Sequence, residues 1–321
     1  MSINTEMSVR VAAITAVAEK VKRFRFERVD GQPMPVFSGG AHIVVSMRDG
    51  AILRRNPYSL MSSPADPSGY EISVLAVEQS RGGSAFLHGK LKPGNTLAIS
   101  QPINLFPFDR RGRKHILMAG GIGVTPFIAM MDQLTREDRS FELHYAVRTR
   151  SHGAYWRELQ ERYGARCVHV YCDAERLFIP TETVLGHQPL GTHLYVCGPA
   201  GMIKGVLGSA TRLGWPRQNL HSEEFLAPPP GEVFKAVLTR SGKTITVNSH
   251  QSILEAVEAA GVDAPYLCRG GACGQCETAV SGCDGALDHH DIFLEAQDKA
   301  SGKKIMICVS RITGSEIRLD L

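Results

Sequence analysis

The sequence predicts a multidomain chain in which an antiparallel β-barrel, an α/β domain and a small mixed domain follow one another. Three observations favour this order. Short alternating strands fill the first third, a strand runs into a glycine-rich turn and a helix in the middle, and four cysteines follow a proline run near the C-terminus. The length of 321 residues also exceeds one ordinary hydrophobic core, which favours several domains.

Composition excludes several classes of protein. With 43% hydrophobic and 21% charged residues the chain is typical of globular proteins, and no apolar run approaches the roughly 20 residues of a membrane helix. A net charge of +4 is too small to indicate nucleic-acid binding. Residues 1–6 lack the basic and apolar pattern of a leader peptide, so we expect a cytoplasmic protein without a membrane partner, whose eight cysteines form no disulfides.

The first third shows the alternation and closely spaced turn residues of a small antiparallel barrel. Two of its segments carry candidate binding groups, 56–60 (Asn-Pro-Tyr-Ser-Leu) and 81–84 (Arg-Gly-Gly-Ser). The second could bind a phosphate through backbone N–H groups, a serine hydroxyl and an arginine. Taken alone, either segment is more readily explained as an ordinary turn. The predicted strands are 9–14, 21–26, 41–46 and 71–77.

The middle of the chain predicts a nucleotide-binding element. A strand at 115–119 runs into the glycine-rich turn 120–126 and then a helix at 127–134, an arrangement in which a pyrophosphate can approach the backbone. Two further strands end at Arg148 and at Cys197, and both ends should open on one crevice of a parallel sheet. Cys197 alone is as compatible with a small buried core residue as with a place beside a nicotinamide ring. Because the glycine-rich turn precedes it in the same domain, we favour a place beside the nicotinamide ring for Cys197.

The C-terminal part begins after a proline run at 226–231, which predicts a semi-rigid linker. Beyond it the pattern predicts a hairpin of strands 233–239 and 244–247, followed by a helix. We expect this helix to have Ser252 as its N-cap and to stop at Gly261.

Cys268, Cys273, Cys276 and Cys308 have the C-x4-C-x2-C…C spacing of a plant-type [2Fe–2S] cluster. Small residues at 270–272 and 274 allow a loop to wrap tightly around such a cluster, and Cys308 is predicted in a strand at 305–310. The alternatives are a structural zinc site or a pair of disulfides. Zinc is disfavoured because three of the ligands share one glycine-rich loop instead of forming two short knuckles.

Together these motifs resemble the phthalate dioxygenase reductase family along essentially the whole chain, and carnitine monooxygenase reductases are a close comparison. The resemblance implies an FMN-binding β-barrel at 1–109, an NAD-binding α/β domain at 110–226, a linker at 227–234 and a β-grasp [2Fe–2S] ferredoxin domain at 235–321. It further implies an NADH-dependent reductase that passes electrons through FMN and the cluster to a Rieske-type non-haem iron oxygenase, a separate partner. We expect a monomer.

The resemblance also implies roles for individual residues. No histidine or carboxylate is assigned to catalysis, because hydride transfer needs alignment only. Cys268, Cys273, Cys276 and Cys308 would ligate the cluster. The FMN contacts would be Asn56, Tyr58, Ser59, Leu60, Ala76, Val77, Gly82, Gly83, Ser84, Thr125 and Phe225. The NAD contacts would be Gly120, Gly121, Gly123, Thr125, Arg148, Cys197, Gly198 and Pro199.

Two departures from the family pattern affect cofactor binding. The family's arginine two residues before the tyrosine is Asn56 here, so Arg55 or Arg81 would have to take its place at the phosphate. The strand-end arginine is often followed by an acidic residue in the family, whereas this chain has Arg150 two residues after Arg148. The resemblance implies NADH, but a basic residue there leaves NADPH open.

The remaining signals are weaker. The segment 288–291 (Asp-His-His-Asp) resembles a metal or proton-transfer cluster, but a solvated loop is favoured, as it is for the basic stretch 110–114. Arg269 and Gln275 lie in the ligand loop and should be accessible to a partner. The sequence offers no convincing site of two histidines and one carboxylate. Cys167, Cys172 and Cys283 have no assigned role.

The acceptor and substrate stay open. A redox sensor that uses the cluster only as a switch, or a flavin reductase that releases its reduced flavin, are the alternative functions. An oxygenase for aromatic acids such as phthalate and one for quaternary amines such as carnitine are both compatible with the motifs.

Overall fold

The computed structural model describes residues 6–50, 52–78, 81–226 and 230–321. Residues 1–5, on which most of the leader-peptide prediction rests, and 227–229 of the predicted linker lie outside this part. Within the described ranges, every helix is too short or too polar to cross a lipid bilayer.

The N-terminal domain is a six-stranded antiparallel sheet in the order β4-β3-β6-β1-β2-β5, as predicted. The inward side chains of its strands enclose one apolar core that includes Phe24, Phe26, Ile43 and Ile72. This core holds the strand ends that face the rest of the molecule. The elements are β1 (Met7–Ala18), β2 (Val21–Arg28), β3 (His42–Asp49), β4 (Ile52–Ser59), β5 (Tyr70–Leu75), α1 (Gly83–Gly89) and β6 (Thr96–Ile99).

The second domain is a parallel sheet in the order β11-β10-β7-β8-β9 with helices on both faces. One face packs on α2 and α3, and the other packs on α4 and α5. The elements are β7 (Lys114–Gly120), α2 (Thr125–Arg136), β8 (Ser140–Val147), α3 (Trp156–Tyr163), β9 (Val168–Cys172), α4 (Thr181–Gly186), β10 (Thr192–Cys197), α5 (Ala200–Arg212) and β11 (Leu220–Glu223).

The third domain is a mixed sheet in the order β13-β12-β18-β14-β16 beside a two-stranded ribbon of β15 and β17. Ser252 caps α6 through a capping box with Glu255, and Gly261 follows the helix with φ +68°, as the sequence predicted. The elements are β12 (Phe234–Leu238), β13 (Lys243–Val247), α6 (Ile253–Ala259), β14 (Glu277–Cys283), β15 (Leu287–Asp288), α7 (Ala296–Ser301), β16 (Lys304–Met306), β17 (Arg311–Ile312) and β18 (Glu316–Leu319).

Three local predictions were wrong. Cys308 lies in a turn after β16, not in a strand, because the N–H groups of Val309 and Ser310 both bond back to the Met306 carbonyl. Residues 56–59 belong to β4 instead of a turn. The strand predicted at 71–77 ends at Leu75, beyond which the chain leaves the sheet.

The barrel contacts the α/β domain through apolar side chains, including Val21 and Met61, and contacts both other domains through polar groups. Toward the α/β domain, the Ser63 hydroxyl donates to Asp132 at 2.6 Å. Toward the C-terminal domain, Arg81 pairs with Glu255 at 3.0 Å and Arg55 pairs with Glu258 at 3.1 Å. The Glu255 side chain is almost fully buried, so this interface excludes water around its ion pairs.

Candidate functional site

A cavity of about 330 Å³ lies where the three domains meet. Its lining includes most of the residues predicted to contact FMN, but Leu60, Ala76 and Gly82 are not among them. Leu60 is instead buried in the barrel core. The predicted residues that line the cavity are Asn56, Tyr58, Ser59, Val77, Gly83, Ser84, Thr125 and Phe225.

Strand β4 sets the barrel wall of the cavity. Alternation along a strand places Arg54, Asn56 and Tyr58 on one face. The Asn56 amide donates to the Tyr58 hydroxyl at 3.4 Å, and burial raises the pKa of Tyr58 to about 12. A Cβ at Gly83 would lie 2.2 Å from the Asn56 amide nitrogen, so a larger residue there would have to displace the Asn56 side chain.

Both arginines proposed to replace the family's phosphate ligand are already paired with carboxylates. Arg81 lines the cavity but pairs with Glu255, and Arg55 pairs with Glu258. Arg54, which the sequence reasoning missed, donates from Nε to the Arg81 carbonyl. A Cβ on Gly82 would lie 3.1 Å from its guanidinium carbon. Arg54 therefore lies against the loop 81–84. Its position on the same face of β4 as Asn56 could have identified it from the sequence once the strand pairing was known.

Apart from Thr125, which lines the cavity, the predicted nicotinamide residues lie at the carboxyl ends of β7, β8 and β10, outside the cavity wall. A Cβ at Gly123 would lie 2.3 Å from the Cys197 carbonyl oxygen, and one at Gly120 would lie 2.8 Å from Pro199. These two glycines therefore let two loops approach each other. Gly121 has φ +53° and faces open space, because a Cβ at this position would have no neighbouring atom within 4 Å.

Cys197 and Glu223 occupy paired positions on β10 and β11. Burial raises the pKa of the Cys197 thiol well above its usual value, so the group is a neutral thiol. Glu223 lines the cavity, and its Oε2 atom has neither solvent nor a hydrogen-bond partner among the described residues. Burial raises the pKa of Glu223 to about 8. Sequence reasoning missed this carboxyl because no motif marks it.

Thr125 and Phe225 approach the cavity from the α/β domain. Thr125 is buried and donates from its hydroxyl to the Ile122 carbonyl at 3.0 Å. The Phe225 ring is 42% exposed and forms part of the wall. Arg148 is exposed just beyond β8, and its carbonyl accepts from the Ala174 N–H at 3.1 Å.

The four predicted cluster ligands converge as two pairs. The Sγ atoms of Cys276 and Cys308 are 3.1 Å apart. The Cys273 side chain hydrogen-bonds to Cys268 and, together with backbone N–H groups of the loop, lowers the pKa of Cys268 to about 5. Four converging cysteine side chains and backbone N–H donors are what an iron–sulfur cluster needs from its ligand loop, so these residues fit the group.

The ligand loop has a cavity side and a solvent side. Cys268, Gly270 and Ala272 line the cavity. On the other side the Phe293 ring packs against Gly274, where a Cβ would lie 2.3 Å from the ring, and Phe293 is still 46% exposed. A cluster held by this loop would have one side toward the cavity and the other toward solvent beside Phe293.

Two expectations about this region were wrong. Arg269 is buried instead of accessible, because it pairs with Glu258 and lies over the Tyr266 ring at 3.8 Å. Gln275 is exposed as predicted. The solvated loop expected at 288–291 was wrong at its last residue: Asp288 is exposed, but the Asp291 side chain is fully buried and accepts from the Leu294 N–H at 2.8 Å.

Two family models match the chain. Residues 99–220 match the N-terminal domain of dimethylamine monooxygenase subunit DmmA-like proteins, and residues 237–313 match the 2Fe-2S iron-sulfur cluster binding domain.

Full-length relatives support the same three-domain organisation. A carnitine monooxygenase reductase subunit of Acinetobacter pittii is 44% identical over 94% of this chain and 98% of its own. The beta subunit of a heme-dependent oxidative N-demethylase of Ectopseudomonas mendocina is 43% identical over 99% of this chain and 100% of its own. The solved structure of phthalate dioxygenase reductase superposes with a TM-score of 0.90 at 32% identity, covering 99% of this chain and 98% of that one.

Proposed function

This chain belongs to the phthalate dioxygenase reductase family, and from that premise we propose that it supplies electrons to a Rieske-type non-haem iron oxygenase. It is an electron-transfer oxidoreductase that holds FMN, a [2Fe–2S] cluster and NAD(H). Bound together, these cofactors supply hydride transfer from nicotinamide to flavin and single-electron transfer from flavin to iron. The observation that carries the proposal is the cavity bordered at once by all three domains.

The barrel residues that line the cavity would hold the flavin. Tyr58 offers a buried ring and hydroxyl, and Ser59 ends β4 at the cavity wall. At the phosphate we propose Arg54, since Arg55 and Arg81 are already engaged by carboxylates of the C-terminal domain. Its guanidinium lies against Gly82, where a phosphate would meet backbone N–H groups and a cation together.

The α/β domain would position the coenzyme. Gly121 leaves space at the start of the turn after β7, and Thr125 and Phe225 border the cavity on the same side. Cys197 is held neutral and cannot act as a nucleophile, which fits a role in shaping the nicotinamide pocket. These residues align the reacting atoms, and alignment is the contribution that hydride transfer requires.

We propose NADH as the coenzyme. The Nε and Nη2 atoms of Arg150 each donate to a Glu175 carboxylate oxygen at 2.9 Å, and the guanidinium also lies over the Trp156 ring at 4.9 Å. Its charge is therefore balanced by a carboxylate, which reduces its attraction for a 2′-phosphate.

The proposed monomeric state is checked by light scattering, which should give about the 35.0 kDa of one chain.

The acceptor would dock on the solvent side of the ligand loop. Gln275 and Phe293 are exposed there, and the opposite side of the loop faces the flavin cavity. Aromatic side chains with large exposed area commonly anchor protein interfaces.

A haem-containing oxygenase is the second candidate acceptor, because one full-length relative is the beta subunit of a heme-dependent oxidative N-demethylase. Reconstitution distinguishes the two candidates. Carnitine monooxygenase and the N-demethylase, each lacking its own reductase or beta subunit, are supplied with this chain and NADH. Turnover in only one of them assigns the acceptor class.

The first experiment is the visible spectrum of the anaerobically purified protein before and after NADH, with flavin, iron, sulfide and zinc analysis. We expect FMN with two irons and two sulfides per chain, bleaching by NADH, and rapid reduction of added cytochrome c. A sensor or a reductase that releases flavin would not reduce cytochrome c rapidly through the bound cluster. A colourless, zinc-loaded protein would overturn the proposal.

A further inference from the structure

Two histidines and a glutamate lie together on one face of the α/β sheet, away from the cofactor cavity. Glu142 and His144 are on β8, and His169 lies directly opposite His144 on β9. One potential ligand atom from each of the three lies within 4.8 Å of the others. The carboxyl end of β8, where Arg148 leads to the coenzyme crevice, is farther along the strand.

His144 is the buried centre of this cluster. Its side chain is 5% exposed, and its Nε2 atom has no hydrogen-bond partner among the described residues. Nε2 is directed at Glu142 Oε2, 3.6 Å away, which is too long for a hydrogen bond. The other ring nitrogen, Nδ1, is 3.0 Å from the Tyr171 hydroxyl. A buried polar atom without a partner is costly, so a missing ligand is a physical explanation for it.

The hydrogen bonds around this cluster leave Glu142 Oε2 and His144 Nε2 available to bind an ion. Lys114 bonds Glu142 Oε1 at 2.7 Å, which leaves Oε2 for a second partner. The His144–Tyr171 contact fixes the ring, as outer-shell partners do for metal-ligating histidines. The His144 and His169 rings are stacked at 4.8 Å with an angle of 16° between them, so the partly exposed His169 ring would have to turn for its nitrogen to face the same ion as His144.

We propose that Glu142, His144 and His169 form a binding site for a divalent transition-metal ion of the zinc, nickel or copper class. Imidazole and carboxylate donors suit these ions, and three protein ligands leave a coordination position for water. Donors on one tetrahedral zinc lie about 3.4 Å apart. Glu142 and His169 are partly exposed and can move inward toward the fixed His144. Because Lys114 shares Glu142, the ion should be exchangeable.

This site goes beyond the proposed electron transfer, and zinc binding there would revise the sequence expectation. The sequence alone did not indicate this two-histidine, one-carboxylate site. His144 and His169 are 25 positions apart on two strands, and only the β8–β9 register brings them together.

The test uses the complete protein with FMN and cluster bound, so that the four cluster cysteines are occupied. Zinc binding is measured by competition with a chromophoric chelator in wild type, His169→Ala and Glu142→Gln. We expect one exchangeable zinc per wild-type chain and about 10- to 100-fold weaker binding in each variant. NADH-dependent cytochrome c reduction, measured without zinc, should be unchanged because neither residue borders the cofactors.

Matched controls separate this site from other histidines. His250→Ala removes an exposed histidine of the C-terminal domain and should bind zinc like wild type. His221→Ala tests a second close histidine pair, His193 with His221 at 3.0 Å. The proposal is overturned if wild type binds no zinc, if both site variants bind it as wild type does, or if only His221→Ala loses it.

Discussion

We propose that Arg54 binds the FMN phosphate in place of the family's arginine, whose position two residues away is Asn56 here. It shares a face of β4 with Asn56 and contacts the glycine loop through the Arg81 carbonyl. Arg54→Gln should weaken FMN binding by about 10- to 100-fold, since a charge-assisted hydrogen bond to phosphate contributes about 1.5–3 kcal/mol. The dissociation constant of FMN, measured by flavin fluorescence, checks this.

Riboflavin provides the discriminating control, because it lacks the phosphate. Its affinity should be the same in wild type and in Arg54→Gln. Arg48→Gln removes an exposed arginine of β3 and should leave both affinities unchanged. Equal losses for FMN and riboflavin would mean that Arg54 supports the barrel and does not bind the phosphate.

Glu223 makes the stability of the protein depend on pH. Below its ordinary pKa of 4.5 the carboxyl is protonated whether the chain is folded or unfolded. Above that value the unfolded chain ionises while the folded chain keeps the proton until about pH 8, so wild type loses stability as pH rises through this window. Glu223→Gln stays neutral. Its free energy of unfolding in urea should exceed that of wild type increasingly from pH 5 to 8, by about 1–2 kcal/mol after allowance for partial exposure.

The control for this prediction is Glu232→Gln, which alters an exposed carboxyl of the C-terminal domain. Its free energy of unfolding should follow that of wild type at every pH. A constant difference between Glu223→Gln and wild type from pH 5 to 8 would contradict a raised pKa at Glu223.

Single residues were predictable where spacing along the chain carries the chemistry. The cysteine spacing and the position of Thr125 needed no knowledge of strand pairing. Arg54 and Glu223 could not be predicted without knowledge of strand pairing. The position of Arg54 depends on which face of β4 meets the loop 81–84, and that of Glu223 depends on the pairing of β10 with β11.

At the scale of elements, the carboxyl ends of β8 and β9 together present the groups that should set coenzyme choice. Arg150 follows β8, and Glu175 lies in the short helix after β9. Glu175→Gln removes the carboxylate that balances Arg150, so the ratio of kcat/KM for NADH to that for NADPH should fall by about tenfold, or 1.4 kcal/mol. Steady-state reduction of cytochrome c with each coenzyme measures the ratio.

The double variant Arg150→Gln/Glu175→Gln is the matched control. It removes both charges and should restore the preference for NADH toward the wild-type ratio. If Glu175→Gln alone keeps that ratio, the pair does not influence the 2′-position, and the coenzyme preference has another source.

Elements were predicted best where local chemistry decides them. The Ser252 N-cap of α6 and the strand leading into the glycine turn are local, and both were found. The turn at Cys308 was missed because its apolar neighbours resemble a strand, while the convergence of Cys308 on Cys276 depends on the whole domain. Gly120 and Gly123 were interpreted as making room for a pyrophosphate, although they also let two loops meet, which no single segment reveals.

At the scale of the whole molecule, domain order was readable from the sequence but the domain contacts were not. Arg55 and Arg81 looked like phosphate ligands, and the structure instead uses both to hold the C-terminal domain against the barrel. That contact brings Gly270 of the ligand loop to Pro57 of the barrel, where a Cβ on the glycine would lie 3.4 Å from the proline ring. The ligand loop is thereby fixed at the flavin cavity, and its other side is left for a partner.

Phe293 on that other side should be an anchor for the acceptor protein. Burying an exposed aromatic ring in an interface commonly contributes about 2 kcal/mol, so Phe293→Ala should raise the apparent KM for the oxygenase about 10- to 30-fold. The probe is carnitine monooxygenase, or the N-demethylase, lacking its own reductase or beta subunit.

Bleaching by NADH and the visible spectrum of the cluster should not change, because Phe293 does not line the flavin cavity. Phe178→Ala, which removes an exposed ring from the α/β domain, should behave like wild type in all three assays. An unchanged KM in Phe293→Ala with an intact cluster spectrum would place the docking surface elsewhere on the molecule.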